Sequence, residues 1–96
     1  MNVGILRVRL RFPENESLKG KRRVLNSITS KVRSRFNVSI AEVEGQELWQ
    51  LATLGIVCVN SDSRHANETL SKVVEFIRRI RDDAEFLDYE VELLSA

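Results

Sequence analysis

Two stretches at opposite ends of the chain alternate apolar and charged residues, with charges of opposite sign. Residues 3–12, VGILRVRLRF, set Leu6, Val8, Leu10 and Phe12 against Arg7, Arg9 and Arg11. Residues 86–94 set Leu87, Tyr89, Val91 and Leu93 against Asp88, Glu90 and Glu92. A period of two puts alternate side chains on opposite faces, so each stretch reads as a strand with one apolar and one charged face. Laid antiparallel with 7 opposite 92, 9 opposite 90 and 11 opposite 88, they place every Arg beside an acid. The same register opposes Leu6 with Leu93, Val8 with Val91, Leu10 with Tyr89 and Phe12 with Leu87. Both faces then agree, and the first and last strands of the chain become neighbours in one sheet.

What lies between them fixes the topology. Pro13, Glu14 and Asn15 end the first strand, and Ser17 is a good N-cap for a helix over about 18–35. Leu18, Leu25, Ile28, Val32 and Phe36 recur there at helical spacing, with Val24 widening the stripe. Residues 37–43, NVSIAEV, are rich in β-branched residues and read as a second strand, and Trp49–Asn60 reads as a third, joined to it by the polar turn Glu44-Gly45-Gln46-Glu47. Leu54, Ile56 and Cys58 share the inward face of that third strand. Ser61, Asp62 and Ser63 all offer caps for a second helix running to about Arg81. Its apolar side is Ala66, Leu70, Val73, Ile77 and Ile80, and Glu68 to Lys72 and Glu75 to Arg79 are favourable i,i+4 pairs. The order β-α-β-β-α-β in 96 residues is the ferredoxin-like α+β pattern. It predicts a four-stranded antiparallel sheet in the order 4-1-3-2 with both helices on one face, in a single domain over residues 1–96.

Charge is divided unevenly along this frame. Residues 1–41 hold ten Lys or Arg and two acids, whereas residues 42–96 hold five and twelve, giving +8 and −7. Such asymmetry suggests an anionic partner or two halves that neutralise each other. No apolar run approaches the roughly 20 residues needed to span a bilayer, and Arg7, Arg9 and Arg11 come too early for a signal peptide, so a cytoplasmic protein without membrane contact is expected. One Cys and one His exclude an intrachain disulfide and leave no zinc-type ligand set. Neither Cys58 nor His65 has the base and orienting carboxylate that acyl transfer needs, and there is no P-loop, GxGxxG or HExxH. Cys58 reads as a small buried hydrophobe and His65 as a packing or capping residue. The expectation is a protein that is not an enzyme and needs no metal or cofactor.

SLKGKRRVLNS, RFNVSIAEV and ELWQLATLGIV together resemble the YlxP-like family of small bacterial proteins of unknown function, and the resemblance covers essentially the whole chain. It implies a ferredoxin-like fold. The family's genes commonly neighbour those for transcription elongation, translation initiation and ribosome maturation, which implies a connection to RNA or the ribosome. No catalytic residues are implied. Where the family usually has Glu or Asp, this chain has Gly20, so the capping box with Ser17 is incomplete.

The first helix carries Lys19, Lys21, Arg22, Arg23, Lys31, Arg33 and Arg35 and no acid. Four of these lie in its first two turns, where cations oppose the helix dipole at a cost of a few tenths to ~1 kcal/mol each. These seven are the candidate residues for gripping phosphates of RNA or a ribosomal component; the alternative is a solvated basic face. Trp49, at the start of the third strand, is either a base-stacking residue or a cap on one end of the core. The open sheet face lacks the aromatics of RNA-recognition sheets, offering Thr53, Gly55, Val57 and Val59. The second strand, by contrast, has neither Lys nor Pro to guard its edge. Val38, Ile40, Ala41 and Val43 on it, with Leu51, Val57 and Val59 beside it, are the candidate surface for a homodimer, and the alternative function is a homo-oligomeric interaction module or a small-ligand regulatory module.

Overall fold

The computed structural model describes residues 1–80 and 83–96. The elements run β1 (Asn2–Arg11), α1 (Leu18–Arg35), β2 (Ser39–Glu44), β3 (Leu51–Asn60), α2 (Ser63–Arg79) and β4 (Glu85–Ser95). The strands form one antiparallel sheet in the order β2-β3-β1-β4, as the alternation and topology rules require. Ser17 caps α1 by accepting from the Gly20 amide at 3.0 Å, and Asp62 caps α2 by accepting from that of Arg64 at 2.8 Å. The second helix stops at Arg79, with Ile80 as its C-cap, and Arg81 lies outside the described residues.

Leu6, Val8 and Leu10 of β1, with Phe12 just beyond its end, meet Leu54 and Ile56 of β3 on the inner face. The stripes Leu25, Ile28, Val32 of α1 and Ala66, Leu70, Val73, Ile77 of α2 cover them. Burial of such side chains, at about 25 cal/mol per Å² of apolar surface removed from water, is what holds the two layers together.

The β1–β4 register differs from the expected one by two residues. Arg7 stands opposite Glu90 and Arg9 opposite Asp88; beyond a bulge at Leu87, Arg11 meets Glu85 instead of Asp88. Likewise Leu6 faces Val91, Val8 faces Tyr89 and Leu10 faces Phe86. A slip of two leaves the side chains from Asp88 onward on their own faces, so the alternating pattern fits both registers there; beyond the bulge the slip is three, and Phe86 takes the inner face expected of Leu87, which is 44% exposed. The charge ladder survives the slip. Arg9 bonds Asp88 at 2.7 Å and also Glu90, Arg11 bonds Glu85 at 2.8 Å, and Arg7 lies 3.8 Å from Glu92. Hydrogen bonds to Asp88 and then Glu90 hold the Arg9 guanidinium above its ordinary pKa. All four pairs are solvent-exposed, so each contributes little to stability, and because the ladder forms in either register they do not choose between them.

At the far side of the sheet, β2 begins at Ser39, and Val38 and Ile40 pack into or against the core, with Ile40 fully inward. These two side chains are therefore not available to the interface expected of them. A second bulge, between Glu42 and Glu44, interrupts the β2–β3 ladder, and Arg33 donates to the Ile40 carbonyl at 2.8 Å. Edge β2 is thus less open than its composition suggested, because bulges are one way edges avoid extra strands.

Candidate nucleic-acid interface

The end of the molecule that carries the β2–β3 hairpin also carries the first turn of α1. Asn15 joins the two. Its Nδ2 donates to the Ser17 carbonyl at 2.6 Å and to the Trp49 carbonyl at 2.5 Å, so a single amide ties the helix cap to the chain two residues before β3. Gln50 fastens the same loop from the other side, donating to the carbonyl of Asn15 at 3.1 Å, and its own carbonyl accepts from the Phe12 amide at 2.8 Å. Gly20 makes this approach possible: a Cβ there would lie 2.3 Å from Asn15 Oδ1. The Asn15 amide fills the space that a side chain at position 20 would need.

Lys21 is not part of any surface. It is 0% exposed, and its Nζ donates to Glu42 and to the Gly45 carbonyl, both at 2.8 Å, and to the Leu51 carbonyl at 3.1 Å. It is removed from the phosphate-binding candidates, because an ammonium enclosed by a carboxylate and backbone carbonyls has no face left for an anion. The sequence carried a signal for this. Lys21 falls on the apolar stripe of its own helix, three after Leu18 and four before Leu25, and strict alternation from Ile40 turns Glu42 inward. Two inward charges of opposite sign, on elements that must pack together, call for each other.

The remaining cations of α1 fall into two groups. In the C-terminal half, Arg33 is bonded to Ile40, Arg35 lies 5.0 Å from the centre of the Phe76 ring, and Lys31 is exposed and engaged as well. In the N-terminal half, Lys19, Arg22 and Arg23 are exposed and form no ion pair with the described residues. They contrast with Arg7, Arg9 and Arg11, each of which has a carboxylate partner. Arg23 also borders a hollow of about 530 Å³ shared with Glu14, Asp83 and Glu85, which tempers the positive potential on that side. Trp49 is 55% exposed, so it does not cap the core. Its backbone is fixed by Asn15 while its indole is largely in solvent.

Little else on the surface has the makings of chemistry. Cys58 is buried, with Sγ donating to the Ala66 carbonyl at 3.7 Å, and burial pushes its thiol pKa up. His65 is exposed on α2, so it is not packed in the core. No group of three or more His, Cys, Asp or Glu among the described residues is arranged to hold a metal ion. No described helix is long and apolar enough to cross a membrane.

Comparison with known proteins agrees with this architecture. Residues 3–91 match the family described as "Protein of unknown function (DUF503)". The chain belongs to the DUF503 family. A relative within reach is the "Uncharacterized protein YlxP" of Bacillus subtilis (strain 168), 43% identical over 61 residues, which span 64% of this chain and 66% of that protein. This match bears out the YlxP-like resemblance. Among solved structures, the de novo designed protein Foldit4 aligns over 100% of the DUF503 chain and 99% of its own, with a TM-score of 0.55 at 14% identity. The designed protein LFR1 1, described as having a ferredoxin fold, aligns over 100% and 88%, with a TM-score of 0.50 at 15% identity. The two designs bear on the fold alone, and that fold is ferredoxin-like.

Proposed function

We propose that this DUF503 protein is a non-enzymatic RNA-binding module, associated with RNA or a ribosomal component, that grips phosphates through Lys19, Arg22 and Arg23 on α1. The observation that carries the reading is the contrast between cations. The sheet arginines are matched one by one with acids, whereas these three oppose their own helix dipole and have no carboxylate partner among the described residues. The outward face of α1 continues with Asn26, Ser30 and Ser34, which are exposed hydrogen-bonding side chains without an acid among them. Trp49, anchored to the same helix cap through Asn15, supplies an exposed ring for a base next to the phosphates.

The test is a filter-binding titration against a structured RNA at low and high salt. Three phosphate contacts predict a loss of about 2–3 powers of ten in affinity per tenfold rise in salt. The triple reversal Lys19→Glu, Arg22→Glu and Arg23→Glu is expected to abolish binding while leaving the fold intact. Equal and negligible binding at both salts, or binding indifferent to salt, refutes the reading.

A second reading, self-association through the open sheet face, is favoured by one observation. Val43, Leu51, Val57 and Val59 are exposed there, and Gly55 leaves a hollow of about 440 Å³ bordered by Ile5, Ala41, Val43 and Val57. Sedimentation at micromolar concentration tests it: a single species of 11.0 kDa, unaffected by Val57→Lys, rules it out.

A further inference from the structure

The helix layer covers the last strand only in part. Tyr89, Val91 and Leu93 lie on the helix side of the sheet, opposite Val8, Leu6 and Gly4, yet they remain 44%, 39% and 43% exposed. Val8 and Leu6, one strand further in, are wholly buried. Between α2 and β4 runs a groove of about 560 Å³ bordered by Asn67, Ser71, Val74, Glu75, Tyr89 and Val91. Arg78 lies over the Phe86 and Tyr89 rings, at 4.8 and 5.4 Å from their centres. On the other face Asp88, Glu90 and Glu92 form a row whose side chains are 61%, 56% and 53% exposed. Because β4 ends the sheet, its outer row of backbone groups has no ladder partner among the described residues, and beyond the bulge its register is regular from Asp88 to Ser95.

Side chains of a strand are flanked by neighbours on both edges, so an outer neighbour of β4 meets the same chemistry as its inner one. The inner neighbour, β1, answers Tyr89 and Val91 with aliphatics and answers the acids with arginines. We infer that the outer edge of β4, over residues 88–95, is a docking edge for an extended segment of another protein in which Arg or Lys alternates with aliphatic residues. The segment adds as a fifth strand, its aliphatics covering Tyr89, Val91 and Leu93 and its cations meeting Asp88, Glu90 and Glu92. A second copy of β4 does not fit this edge in the registers that pair the acid row along its length. A twofold pairing centred on Val91 sets Glu90 opposite Glu92 of the second copy, and one centred on Glu90 sets that residue against itself; like charges directly opposite destabilise a pair. The acid row thus selects a basic partner and rejects its own kind.

The probe is a blocked peptide of about eight residues alternating Arg and Val, compared with its Glu and Val counterpart. Binding to the intact protein is followed by fluorescence anisotropy, and the site by backbone amide shifts in NMR. The Arg peptide is expected to bind and to shift amides of residues 88–95, the Glu peptide to bind at least about tenfold more weakly. Val91→Lys is expected to weaken the Arg peptide by about the same factor. Should that variant lose its native circular dichroism, Leu93→Lys takes its place, with the amide shifts as an independent readout. Equal binding of the two peptides, shifts confined to α1 or β2, or no binding of the Arg peptide at millimolar concentration overturns the inference.

Discussion

Lys21→Met removes the ammonium that holds the first turn of α1 under the β2–β3 hairpin. In the native protein that ammonium is 0% exposed, and it satisfies the Glu42 carboxylate together with the carbonyls of Gly45 and Leu51. Methionine keeps most of the volume but leaves Glu42, whose side chain is only 17% exposed, with its charge unanswered. Breaking a buried pair from one side costs about 3–5 kcal/mol, because the surviving charge has lost both water and partner. A small domain has roughly 5–15 kcal/mol in total, so the variant sits near the edge of folding. Glu42→Gln is expected to cost a comparable amount by orphaning the ammonium, and the double variant less than the two singles together, since no unpaired charge remains. Urea denaturation followed by far-UV circular dichroism measures all three. Dichroism is the better signal because Trp49 is 55% exposed before unfolding begins. A loss below about 1 kcal/mol for Lys21→Met, or strict additivity in the double variant, refutes the account of Lys21 as a buried structural cation.

Reversing Lys19, Arg22 and Arg23 to Glu is expected to leave stability unchanged or to raise it by a few tenths to ~1 kcal/mol, chiefly through Lys19, which lies in the first turn of α1 where acids are favoured; marked destabilisation in the same urea assay shows instead that these cations are structural. Gly20→Ala normally gains about 1 kcal/mol in a helix, but here the new Cβ displaces the Asn15 amide. The gain is therefore expected only in an Asn15→Ala background, and equal gains in both backgrounds refute the Asn15 bridge. Cys58 is expected to resist thiol reagents until the protein unfolds. Because its folded pKa is raised, the neutral thiol stabilises the fold at neutral pH and that contribution declines as pH rises past the ordinary thiol value; rapid labelling of native protein contradicts the burial.

Most of the frame was readable because each element carried a period and a cap. Helix α1 begins after Ser17 and ends at Arg35 as the spacing of Leu25, Ile28 and Val32 demands, and the β1–β4 neighbourhood follows from two alternations of opposite charge. The differences have one cause. Composition groups Lys21 with its charged neighbours, but position decides burial, and its place on the apolar stripe outweighs its charge because Glu42 answers it. Composition likewise groups Val38 and Ile40 with an exposed strand edge, whereas their side chains belong to the core. The basic site shrinks accordingly from seven residues to three without partners, which is a sharper hypothesis because it separates charges that hold the fold from charges that do not.

The last strand shows where a periodic pattern stops being informative. Alternation assigns Tyr89, Val91 and Leu93 to the helix side and Asp88, Glu90 and Glu92 to the open side, and the structure agrees. Alternation says nothing about cover, which depends on where two helices can sit above four strands. Here the buried face of α2, through Leu70, Val73 and Ile77, is spent on the core above the inner strands. Strand β4 is left with an apolar face that α2 covers only in part, through Arg78 over Phe86 and Tyr89, and that is the physical reason its side chains remain open toward the outer edge. An exposed apolar row backed by acids is costly to leave in water and resists self-pairing. A basic, extended partner covers the exposed apolar surface and adds a second set of cations along the half-exposed acids that Arg7 and Arg9 already pair from the inner edge.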